Sequence, residues 1–215
     1  MGLKQQISLW SPTLGDILFG SAQAAAIGTS FGNGAATAGA NAQNSLQMGT
    51  SGDINVQVSS AGVQPGATGA DKVLAVYSLP ANAFDIAGRG IDVQAQGSFG
   101  ATANNKRIKI IFAPSAAVVG QTVTGGTTIA DTGTVATNGG GWSIMASVFK
   151  YGAAGSNTQI CLHQQAQVGA AVSALLAPSL TTVAENAPIL IAITGNATTA
   201  ASDIVFNFLQ ITALN

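Results

Sequence analysis

Cys161 and His163 stand two apart in the alternating run Thr158–Gln165, so in an extended strand their side chains point the same way. A thiol beside an imidazole is the pairing of a nucleophile with its base. Such a base needs a third group to orient it, and no partner is evident. The expectation is therefore a buried thiol beside a histidine at a sheet or subunit contact, with no catalytic role. The acids Asp16, Asp53, Asp71, Asp85, Asp92, Asp131, Glu185 and Asp203 are spread singly, and none has the D-x-D-x-D-G spacing of a calcium loop. A glycosidase needs two carboxylates roughly 5–9 Å apart; turn and cap roles are the simpler expectation. Lys106, Arg107 and Lys109 form the only basic cluster. They read as the solvated end of a hairpin after Asn104-Asn105, with a salt bridge to an acidic neighbour in an assembly as the functional alternative.

Other motifs carry less. Gly139–Gly141 lacks the strand–G-x-G-x-x-G–helix setting of a dinucleotide site. Trp142, next in the chain, reads as a strand-starting residue that caps a core, in preference to an exposed platform for stacking a sugar. Asn196-Ala197-Thr198 fits a glycosylation sequon, although a turn suffices to explain it. With one cysteine and one histidine in 215 residues, a disulfide framework, a cysteine cluster and a multi-histidine metal site are excluded within one chain. No metal or cofactor is expected.

The composition bounds the function. Only 7% of residues are charged, against about 25% in ordinary soluble domains. The net charge of -1 is wrong for an electrostatic nucleic-acid binder, which needs a basic face. Mean hydropathy is positive, yet Gly, Asn, Thr or Ser interrupts every long apolar run, so no membrane span is expected. A lone, weakly charged monomer tends to associate. Ala, Gly, Ser, Thr, Asn and Gln can line a subunit contact without burying unpaired ions. The balance favours an oligomeric structural protein over a diffusing enzyme.

The chain divides by charge. Residues 1–52 carry only Lys4 and Asp16, and Ala22–Ser45 is almost all small residues. This segment is expected to be an extended arm that makes contacts between subunits. Its anchors include Trp10, Leu14, Ile17, Phe19 and Phe31, since large aromatics outside a core dock elsewhere. Lys4 followed by apolar residues and Ala22-Gln23-Ala24 resembles a secretion signal, but Ser11-Pro12 and Asp16 interrupt it, so secretion by this route is not expected.

Residues 53–215 read as one β-domain. Period-two alternation marks Gly90–Gln96, Arg107–Phe112 and Thr158–Gln165, with Ile91, Val93, Ala95, Ile108 and Ile110 facing inward. Trp142–Phe149 is rich in strand formers, and Pro188–Gly195 is apolar through most of its length, like a central strand covered on both sides. Along Asp203–Leu214 the inward set shifts from Ile204, Phe206 and Phe208 to Leu209 and Ile211, the phase slip of a β-bulge. Weaker strands fall at Ile54–Val58, Lys72–Leu79 and Thr127–Gly133. Asn104-Asn105 and Asn138–Gly141 mark two hairpins, and Ala170–Ala177 is expected to form a short helix stopped by Pro178. Many short strands punctuated by turns mean an all-β sandwich. The count suits a jelly roll of two four-stranded sheets, with an immunoglobulin-like sandwich second.

The strand-and-turn text carries a resemblance. Leu79-Pro80-Ala81-Asn82, Gly88-Arg89-Gly90, Asn104-Asn105-Lys106, Asp131-Thr132-Gly133, Gly140-Gly141-Trp142 and Asp203-Ile204-Val205, in that order, resemble the jelly-roll-like module of tailed-bacteriophage virion structural proteins. The likeness covers about residues 71–215. It implies a symmetric oligomer on a phage particle and brings no catalytic residues. The functional expectation is a capsid decoration (cement) protein, most simply a homotrimer. Its partners would be the major capsid protein or other virion proteins, and its place the capsid surface after synthesis in the host cytoplasm. The alternative is a receptor-binding or fibre module recognising host surface glycan through loops around Trp142 or Tyr151. An enzyme such as a glycan depolymerase stands third.

Overall fold

The computed structural model describes residues 52–63, 69–197 and 203–214. The proposed arm anchors Trp10, Leu14, Ile17, Phe19 and Phe31 lie outside these residues.

Among the described residues, twelve strands run in chain order: β1 (Gly52–Val63), β2 (Lys72–Leu79), β3 (Gly90–Phe99), β4 (Asn105–Phe112), β5 (Thr127–Asp131), β6 (Val135–Ala136), β7 (Gly141–Lys150), β8 (Gln159–Val168), β9 (Ala171–Val172), β10 (Ser179–Thr181), β11 (Ile189–Ala197) and β12 (Ile204–Leu214). They form two antiparallel sheets. The larger has the order β1-β12-β3-β7-β8-β10, with β9 also on β8; the smaller has the order β2-β11-β4-β5, with β6 also on β4. The pairings are nested: β1 with β12, β2 with β11, β3 with β7, β4 with β5. That is an antiparallel ribbon wrapped over itself into two layers, the jelly-roll arrangement. β8, β9 and β10 widen the larger sheet beyond it.

Alternation places the core. Ile91, Val93 and Ala95 on β3, Ile144, Ala146 and Val148 on β7, and Leu209, Ile211 and Ala213 on β12 face Ile108, Ile110 and Phe112 on β4 and Ile189, Ile191 and Ile193 on β11, all buried. β12 slips phase where the alternation changes. Phe206 pairs with Gly97 and Phe208 with Gln96, so Asn207 is the bulged residue. Phe208 thereby leaves the inward set and turns outward, one residue earlier than the sequence suggests.

Three expectations are corrected. Asn104-Asn105 and Asn138–Gly141 are not hairpins, because each joins strands in different sheets: β3 to β4, and β6 to β7. Turn residues mark a reversal of the chain but not whether it returns to the same layer. Ala170–Ala177 is not a helix; it holds the two-residue β9 and then irregular chain. Its Ser173 and Leu176 amides bond instead to Ala166 O and His163 Nδ1. Lys106–Lys109 is not a solvated hairpin end. Lys106 is fully buried, its Nζ donating to the carbonyls of Thr102 (2.5 Å), Thr137 (2.7 Å) and Asn104 (3.3 Å). This ammonium staples the β3–β4 crossing to the β6–β7 crossing.

Candidate functional site

The two sheets differ in what covers their outer faces. On the smaller sheet, Val73, Ile111 and Ala192 point away from the main core and are still buried, with Ala117 and Val123 packed on them. These two lie in the 113–126 connection, which folds back along β2 through Gly120 N to Val73 O (2.8 Å) and Val73 N to Gln121 O (2.9 Å). This explains why β11 is apolar on both sides. On the larger sheet, the contacts between strands run to strand neighbours and across the sandwich.

Register makes that face legible as four rows. The first is Leu180, Ile160, Phe149, Gly90 and Leu214; the second Leu162, Ser147, Asp92 and Thr212; the third Gln165, Met145, Gln94 and Gln210; the fourth Gln167, Ser143, Gln96 and Phe208. The first row is apolar, with Leu180 67% exposed and Phe149 lying over Gly90. The third and fourth rows are mostly amides. Asp92 is the one charge in the four rows, and its carboxylate accepts from the Ser147 hydroxyl. A sheet facing water normally alternates apolar-in with polar-out, so an apolar outward row is the informative departure.

Next to the apolar row, the connection from β8 to β10 carries Val172, Leu175 and Leu176, all exposed. One inward histidine holds this segment. Leu176 N–H donates to His163 Nδ1 at 2.8 Å, which puts the imidazole proton on Nε2. Nε2 is enclosed and has no hydrogen-bond partner among the described residues. Burial pushes the His163 pKa below its ordinary 6.5, against opposing contributions from the Gln165 backbone and the Asp131 charge. Cys161 is buried too, and its thiol is pushed up to about 11 by burial, with Thr181 and Ser179 offsetting part of the shift. The structure thus has the buried thiol of the simpler reading. It stays protonated at neutral pH.

Five described acids are satisfied from within the chain. Asp71 meets Lys109 at 2.6 Å, Asp131 meets Arg107, Asp85 meets Arg89, and Glu185 meets Lys150 at 2.6 Å. Asp203 accepts from Thr102 and from Asn104 (3.0 Å). The Lys109 and Arg107 bridges are therefore formed within the chain, with the Lys109 side chain 14% and the Arg107 side chain 39% exposed. Glu185 Oε1 also accepts from Gln159 Nε2 at 2.6 Å, so its buried carboxylate is fully engaged. Trp142 is 3% exposed, its indole N–H donating to Ser98 O at 3.3 Å and its ring beside Phe99. It belongs to the core, whereas Tyr151, in the β7–β8 turn, is exposed.

No motif in the sequence marks the outward rows. Their signal was present in the alternation: Gln94 and Gln96, Gln165 and Gln167 occupy every second position of two strands. What the alternation lacks is the knowledge that those strands lie on either side of β7, which brings the four amides together.

No family model matches this chain. No curated protein matches it either. A solved structure described as the CBM2 module of Lactobacillus casei BL23 phage J-1 evolved Dit is similar over 74% of this chain and 78% of that chain, with 8% sequence identity and a TM-score of 0.34. A superposition that loose carries no argument about this chain.

Proposed function

We propose that this chain is a structural protein of a tailed-bacteriophage virion. In its finer form it is a capsid decoration protein that binds the head shell as a homotrimer through its jelly-roll body, helped by the low-charge segment 1–52. The observation that carries the reading is the outward apolar row Leu180–Ile160–Phe149–Leu214 on the larger sheet, itself free of charged residues. Interface centres are depleted of charge and enriched in apolar and aromatic side chains. Burying one such side chain contributes about 1.5–3 kcal/mol. The sequence resemblance to virion modules supplies the setting, and the satisfied carboxylates favour a non-catalytic role.

The test is a binding assay with purified heads that lack the chain. The full chain is expected to sediment as a trimer and to bind the heads. I160E/L180E is expected to lose both properties while keeping its fold. A monomeric wild-type chain that does not bind heads would reject the reading.

The second reading, a receptor-binding module for host surface glycan, is favoured by the two amide rows. It no longer centres on Trp142.

A further inference from the structure

We infer that the third and fourth rows of the larger sheet form a binding site for a neutral polysaccharide. The inference rests on the second reading and deepens it by naming a ligand class and a site.

Four side chains in register cross four adjacent strands: Phe208 on β12, Gln96 on β3, Ser143 on β7 and Gln167 on β8. Neighbouring strands are about 4.8 Å apart, so the row is about 14 Å long. Gln94 and Gln165 lie in the next row, on the same strands as Gln96 and Gln167. Beside the fourth row, Gly97, Gly141, Trp142 and Gly169 line, with Gln96, Ser143 and Gln167, a cleft of about 320 Å³, near the lower end of the range for ligand sites.

The chemistry of the row selects the ligand. A primary amide offers two donors and an acceptor with two lone pairs, and a hydroxyl offers both functions. Such groups match a partner that also donates and accepts at every position, as a polyhydroxylated sugar does. Phe208 adds a half-buried aromatic surface at one end for the apolar C–H side of a sugar ring. No Lys or Arg stands in the four rows to meet a phosphate, sulfate or uronate, and the carboxylate in them, Asp92, accepts from Ser147. The match in charge is therefore to a neutral chain. Nucleic acid is disfavoured on the same ground.

Two of the amides are already oriented. Gln165 Nε2 donates to Gln167 Oε1 at 3.1 Å, and Gln167 Nε2 donates to Gly169 O at 2.9 Å. This relay uses one N–H of each amide and leaves the second N–H of both, and the Gln165 carbonyl, for a ligand. Side chains held in this way lose less entropy when a ligand arrives. The amides of Gln94 and Gln96 enter no hydrogen bond among the described residues, and Gln96 is exposed.

The test is affinity electrophoresis of the full chain through gels containing soluble glucan, galactan or mannan, with heparin as an anionic comparison. At least one neutral polysaccharide is expected to retard the chain, with little dependence on salt. Q96A/Q167A, checked for unchanged melting, is expected to weaken that binding about tenfold or more, the effect of losing two modest hydrogen bonds. Retardation by none of the three neutral polysaccharides, by heparin alone, or equally for wild type and Q96A/Q167A would overturn the inference. None of these outcomes bears on binding to phage heads, so failure here is distinct from failure of the virion assignment.

Discussion

The Trp142 indole lies across Gly97 on the neighbouring strand, and a Cβ at position 97 would stand 2.5 Å from the ring and collide with the Val205 carbonyl. Glycine is required here for a close approach. Gly97→Ala is expected to lower stability by about 3 kcal/mol through overpacking. Chemical denaturation checks the magnitude, and a weakened near-ultraviolet tryptophan signal locates it.

Lys150 and Glu185 form an ion pair inside the protein, with side chains 0% and 4% exposed. Removing one partner strands a buried charge. Lys150→Met is expected to cost about 3–5 kcal/mol, while K150M/E185L costs much less than the sum of the two single changes. A double-mutant cycle in urea reads the difference.

Acid should unfold the protein partly through Asp131. Burial raises its pKa, but the Arg107 hydrogen bond, the Gly133 amide and the charges of Arg107 and Lys109 outweigh that and hold it below the ordinary 3.8. A carboxylate depressed in the fold contributes stability that is complete above the unfolded value and is lost as pH falls from about 3.8 through the folded value. Asp131→Asn is expected to flatten that part of the curve of melting temperature against pH.

His163 acts in a higher window. Its folded pKa lies below 6.5, so the unfolded chain takes up the proton first, and stability falls as pH drops from 6.5 toward the folded value. A proton on Nδ1 also removes the acceptor for Leu176 N–H. The Leu176 amide is expected to exchange faster with solvent at mildly acidic pH, and not to show this change in His163→Gln. Exchange independent of pH in the wild-type chain, after correction for the intrinsic rate, would contradict this.

Much of the fold is legible in the sequence because each signal is local. Lys72–Leu79, though one of the weaker signals, is β2 end to end. The slip in β12 is written in the step from Phe206 to Leu209. Pro188–Gly195 is apolar because the 113–126 connection covers its second face. The errors arise where distant chain decides. Asn104-Asn105 has the residues of a hairpin, but the β4 that follows finds its partners, β11 and β5, in the other layer. Ala170–Ala177 has helix-forming composition, but His163 and Ala166 capture its amides. Lys106 reads as solvated until the carbonyls of Thr102, Asn104 and Thr137 are brought around it. The candidate face is hardest of all to read, because its rows are assembled from strands that are far apart in sequence.

The assignment to the head shell is tested most directly by imaging. A gold-binding tag at Asn215 on the chain assembled into particles should appear in electron micrographs as a regular array on the outer surface of the head. Gold confined to the tail tip, or absent from purified particles, would contradict it.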